Sequence, residues 1–136
     1  MHKLLADRIR EVIATGGGII VYFLGGWDAA LQFLVTMIMI DYLTGLMRSF
    51  VLGDINSNAG YRGLLKKVGI LIIIAIITVI DRQQGMGGSA RIVIINAFTI
   101  NEALSSLENL GEINVPMADK VAAWLEELRE KLKEEL

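Results

Sequence analysis

The sequence has no cysteine and a single proline. Without cysteine there is no disulfide framework and no thiolate chemistry. The one histidine, His2, reads as a solvated terminal residue. No HExxH pair, Walker-type phosphate loop, CxxC or nucleophile elbow is present. Gly85 to Gly88, GMGG, is a turn, since no strand–helix pattern with a downstream acid accompanies it. Glu102 and Glu108 are six residues apart, which puts them on different faces of a helix. The expectation is therefore a protein that is not an enzyme, with no catalytic residue, cofactor or metal. A net charge of −2 gives no case for nucleic acid. The first residues, MHKLLADRIREV, lack a long apolar stretch and a clear small-residue cleavage site, so no signal peptide is expected.

Charge is scarce where the chain is longest. Residues 1–11 carry five charged side chains and residues 102–136 carry thirteen, while residues 12–101 carry only ten. Nine of those ten sit in short clusters between apolar runs, and the exception is Asp41. An amphipathic helix in water shows a charge every turn or so on its wet face, and these segments do not. The chain is 54% hydrophobic, with a mean hydropathy of +0.54. Val68 to Ile80, VGILIIIAIITVI, is free of charge. Lys66 and Lys67 precede it and Asp81 and Arg82 follow it, the pattern of a membrane crossing with wet ends. Thirteen residues give only about 20 Å of helix, so the crossing must extend back through Leu64 and Leu65 with the lysines snorkelling. Taken alone, the run also reads as a buried strand.

The chain reads as all-α: an integral-membrane bundle of three to four crossings followed by an amphipathic C-terminal helix. Helices are expected over about 3–24, 29–50, 64–81 and 91–110. Together they form a membrane domain over 1–110, ahead of a charged helical segment over 111–136. The first helix turns apolar beyond Val12 and contains Gly16-Gly17-Gly18, which suits close backbone approach in a membrane. A loop at 15–18 followed by a short strand is the other reading. Asp28 is placed to cap the second helix. Tyr22 and Trp27 suit either an interface or packing. Asp41 falls inside the second helix, where an unpaired carboxylate costs several kcal/mol, so it is a functional candidate. Gly45 and Ser49 make a small face for helix contact. Residues 51–67 read as a polar connection, and residues 81–91 as a second one with Ser89 as a cap. Asn96, Glu102, Ser105, Ser106 and Asn109 make a polar stripe on the fourth helix. Gly111 should stop that helix, and Pro116 suits the first turn of the last. The last helix places Val121, Leu125, Leu128, Leu132 and Leu136 on one side, an assembly face.

Lysine and arginine are concentrated at the N-terminus and over 48–67, against Arg82 and Arg91 on the other side. The positive-inside rule then puts the N-terminus and the 48–67 loop in the cytoplasm, and four crossings put the C-terminus there too. Arg62, Lys66, Lys67, Asp81 and Arg82 are the expected membrane-boundary charges.

Three stretches, LGGWDAALQFLVTMIMIDYLTGLMRSF, GYRGLLKKVGILIIIAIITVID and NEALSSLENLGEINVP, run in order from Leu24 to Pro116. They resemble the phage holin family that includes the toxin-secretion holins of clostridia. The family's recurring positions, carried onto this chain, are Asp41, Thr44, Gly45, Gly63, Lys66, Lys67, Asp81, Asn101, Glu102, Ser105, Glu108 and Asn109. The resemblance implies a small protein of the bacterial cytoplasmic membrane. Such proteins form homo-oligomers in the lipid bilayer and open lesions for an endolysin or a toxin, which is cargo and not a tight binder. On this reading Asp41, Thr44, Gly45, Ser49, Asn96, Asn101, Glu102 and Ser105 serve helix packing or a pore. The rival readings are a small oligomeric ion channel or transporter subunit that passes no folded protein, and a soluble oligomer with buried apolar runs.

Overall fold

The structure is a computed structural model and describes residues 1–134. Leu136, expected on the assembly face of the last helix, lies outside them. Among the described residues there are five helices and no strand. They are α1 (His2–Phe23), α2 (Ala29–Leu52), α3 (Ser57–Gln84), α4 (Ser89–Glu112) and α5 (Ala118–Glu134).

Four helix boundaries follow from local chemistry. Asp28 has extended backbone, and its carboxylate accepts from the Leu31 N–H at 3.0 Å, which satisfies an orphan donor at the start of α2. Asn56 does the same for α3, accepting from Asn58 and Ala59. Gly53 and Gly85 close α2 and α3 in the left-handed conformation that glycine adopts without a steric penalty.

Several expectations are corrected. The connection expected over 51–67 shrinks to four residues, because the Asn56 cap starts α3 at Ser57. Gly60 and Gly63 are accommodated inside that helix. Ser89 does not cap α4, since its hydroxyl donates backwards to the Met86 carbonyl at 2.9 Å. The amides at that helix start go instead to Asp81, whose two oxygens accept from Gly88 N–H at 2.6 Å and Arg91 N–H at 3.0 Å. A carboxylate at a helix N-terminus also meets the positive end of the dipole. Gly111 does not stop α4, which continues to Glu112. Pro116 precedes α5, which begins at Ala118 after Met117 with φ 70°. Gly16 to Gly18 do not break α1, so the loop-and-strand alternative is set aside.

α4 lies between α2 and α3, packing on both, while α2 and α3 touch each other little. The core is small. Leu31 and Leu34 of α2, Ile74 of α3 and Ile95 of α4 are fully buried, with Leu24 beside them. α5 folds back on α4, and of the other helices α1 contacts only α3. Two helices, α2 and α3, are long and apolar enough to cross a membrane. α1 carries charge in its first half, and α4 is interrupted by Asn96, Asn101 and Glu102, so the expected third and fourth crossings do not reach that standard.

Candidate functional site

The buried polar residues gather at two ends of the α2–α4–α3 layer. At one end Lys67 of α3 joins Asp41 of α2 and Glu102 of α4. The Lys67 ammonium donates to Asp41 Oδ2 at 2.5 Å and to Glu102 Oε2. The three side chains are 15%, 10% and 8% exposed respectively. Asn109 of α4 donates to Asp41 Oδ1 at 3.1 Å and also approaches the Thr44 hydroxyl at 3.1 Å. Thr44 donates to the Asp41 carbonyl, and Ser106 to the Glu102 carbonyl. Three helices are thus tied at one point by ionic hydrogen bonds, which are about twice as strong as neutral ones. The arrangement balances one cation against two carboxylates.

At the other end, Arg91 of α4 is 4% exposed. Its guanidinium meets the Asp28 carboxylate through two nitrogens, at 2.6 and 3.1 Å. It also donates to the carbonyls of Leu24 at 2.6 Å and Gly26 at 3.2 Å. The planar fork of arginine suits this task, since one lysine ammonium does not span four acceptors so arranged. Arg91 therefore clamps the α1–α2 turn onto α4. Arg82 of α3 adds a second tie, donating to the Tyr22 carbonyl at 2.8 Å while lying 4.3 Å from the centre of the Tyr22 ring.

The clamp leads to two predictions. Gly25 has φ 90°, and a Cβ there would strike the Arg91 side chain. Gly25→Ala is expected to lower stability by about 1–3 kcal/mol from backbone strain alone, read as a shifted melting transition in detergent, with the buried arginine displaced as well. The Arg91 guanidinium also holds the Asp28 carboxyl below its usual 3.8. A lowered value in the folded state means that the stabilisation is complete above the unfolded value and is lost as pH falls through the folded one. Melting temperatures should therefore drop on acidification below about pH 4, with a smaller acid slope in Asp28→Asn. Identical slopes would remove the ion pair from the account. Glu127 and Glu130 of α5 are lowered too, by Lys131 and Lys133, so the comparison with Asp28→Asn isolates the clamp.

The remaining sequence-predicted residues divide. Thr44 is buried, and Gly45 and Ser49 are half-buried, with Gly45 facing the Asn109 amide. Ser105 is half-buried and lines the same groove as Asn109, whereas Asn96 is exposed. Asn101 is exposed, and its carbonyl accepts from Arg129 of α5 at 3.0 Å. Lys67 and Asp81 are drawn into the two clusters, while Arg62, Lys66 and Arg82 stay exposed. Val121, Leu128 and Leu132 are exposed on α5, and Leu125 is half-buried. Sequence reasoning did not find the roles of Arg91, or of Arg48 with Glu112, which pair between α2 and α4. The available signal was that Arg91 and Asp28 are lone opposite charges, each at the start of a long apolar run.

The model of the bacteriophage holin family matches residues 18–130, from the end of α1 into α5. The chain belongs to the bacteriophage holin family. The family match extends past Pro116, where the resemblance in the sequence ended, and so takes in most of α5. Family membership and two apolar helices of spanning length make this a holin-like membrane protein. An uncharacterized 14.9 kDa protein from the nagH 3' region of Clostridium perfringens is 32% identical over 93% of this chain and 97% of its own length. An uncharacterized protein of Listeria monocytogenes is 38% identical over 76% of this chain and 74% of its own. A probable holin of Bacillus phage phi105 is 24% identical over 68% of this chain and 69% of its own. No solved structure matches.

Proposed function

We propose that this family member is a homo-oligomeric holin of the bacterial cytoplasmic membrane, which opens lesions that release an endolysin or a toxin. The family match over residues 18–130 carries this reading. The packing supports it. Most large apolar side chains of α2 and α3 stay uncovered in one protomer, among them Phe33, Leu43, Met47, Ile72 and Ile76. Lipid and neighbouring copies are the surroundings that suit such a surface. On this reading residues 1–110 form the membrane domain with four crossings. Both termini lie in the cytoplasm with Arg48, Arg62, Lys66 and Lys67. Gly45, Ser49, Asn96, Asn101 and Ser105 face neighbouring helices or water, and Val121, Leu128 and Leu132 of α5 join in assembly.

The test is induced expression in a bacterium with and without a co-expressed cytoplasmic endolysin, following culture density and ion leakage. Abrupt lysis that needs both proteins is the expected result. Ion leakage without endolysin release would overturn it in favour of a small channel.

A further inference from the structure

Because α4 separates α2 from α3, a groove of about 750 Å³ is left between those two helices near their connection. Leu46, Phe50 and Tyr61 wall it with apolar surface, all at least 48% exposed. Gly60 and Gly63 of α3 keep one side shallow, since a Cβ at either would meet nothing within 4 Å. At its inner end stand Asp41, Asn109 and Lys67, which satisfy one another. At its rim stands Lys66, exposed; Arg62, exposed one turn earlier on the same helix, lies outside the lining but within reach of a headgroup there. Neither has an ion-pair partner among the described residues, whereas Arg48 on the opposite wall is taken by Glu112. The unpaired charge in the lining is therefore Lys66, and the acid within it is already engaged; Asp54, exposed in the adjoining connection, does not line the groove and lies near Arg48.

We propose that this groove binds one anionic phospholipid per protomer. The headgroup phosphate lies against Lys66 and Arg62, and an acyl chain lies along Leu46 and Phe50. The size falls in the range of small-molecule sites, about 300–1,000 Å³. Basic pockets between membrane helices are suited to anionic headgroups. An apolar wall continuous with a basic rim matches an amphiphile and not a free anion. A spanning helix, α2 or α3, of a second copy is less well matched, because Asp41 and Asp81, their acids, are both engaged inside the protomer. The inference rests on the chain residing in a membrane and not on lesion formation.

The experiment is native mass spectrometry of the full chain, released from detergent after incubation with equal amounts of phosphatidylglycerol and phosphatidylcholine of matched acyl chains. One retained phosphatidylglycerol per protomer is expected. Arg62→Gln with Lys66→Gln should weaken that preference about fivefold for each charge removed, corresponding to about 1 kcal/mol per basic side chain at an anionic surface. Gly63→Leu should expel the lipid by filling the groove while leaving every charge in place. Ser49→Leu fills it from the α2 side if the Gly63 variant does not fold. Equal retention of the two lipids overturns the proposal, as does retention by a folded groove-filled variant. Cross-linking of a second copy into the groove overturns it as well. A wild-type chain that lyses cells with endolysin yet holds no lipid here removes this inference alone and leaves the holin reading intact.

Discussion

Replacing Lys67 by methionine is expected to cost about 3–5 kcal/mol, the usual penalty for breaking a buried ion pair by removing one partner. The reason is geometric. Among the described residues Lys67 is the only cation that reaches Asp41 and Glu102, and both carboxylates are at most 10% exposed. Without the ammonium, two acids face each other from α2 and α4 with Asn109 as the remaining donor to Asp41. Such a site must admit water or separate the helices. Thermal melting of the full chain in detergent, followed by far-UV circular dichroism, measures the loss. The decisive comparison is Lys67→Met combined with Asp41→Asn and Glu102→Gln, which removes all three charges while keeping shape. The large penalty comes from leaving buried charges without a partner, so the triple variant, which buries none, should regain much of the lost stability. A triple variant as unstable as the single one would show that Lys67 acts through packing of its methylenes and not through charge.

Arg91→Ala should come next in size. It removes donors to two carbonyls and to Asp28, and hydrogen bonds involving a charged group contribute about 1.5–3 kcal/mol each when measured singly. The full sum is not expected, because the Asp28 side chain is 45% exposed and water replaces part of what it loses. A loss of about 3 kcal/mol is a reasonable scale for the group. The consequence is local as well as global. α1 has no buried residue, and the Arg91 contacts to Leu24 and Gly26 hold the turn that follows it. Limited proteolysis should therefore cut near residues 24–28 in Arg91→Ala well before the rest of the chain opens. Arg91→Lys keeps the charge but cannot form the fork, so it should fall between wild type and Arg91→Ala. Unchanged cleavage in Arg91→Ala would mean that the Arg82–Tyr22 contact is enough to hold α1.

Much of the local structure was legible in the residues. The Asp28 cap was readable because an aspartate follows Gly-Gly-Trp and precedes a long apolar run. The α3 start was not, because Asn58, Gly60 and Gly63 have turn chemistry. Helix formation there rests on the Asn56 cap and on continuation into the strongly apolar run from Val68. Gly111 and Pro116 misplaced their boundaries by about two residues, a scale at which capping geometry decides and composition does not. The polar stripe of α4 was only partly a unit. Glu102, Ser106 and Asn109 turn towards α2 and α3, while Asn96 lies about a third of a turn around the helix from Glu102.

The sequence by itself determined a family member with two apolar helices, their caps and the charges that flank them, because those features depend on neighbours within a few residues. It also singled out Asp41, since a carboxylate in an apolar helix is costly whatever surrounds it. Only the tertiary structure decided which charges meet. Lys67 joins Asp41 and Glu102 across 26 and 35 residues of chain, and Arg91 reaches Leu24 across 67. Those meetings depend on α4 sitting between α2 and α3 and on how far each helix is turned about its axis. Helical periodicity sets which residues share a face; it does not say which face of which neighbour that face will meet.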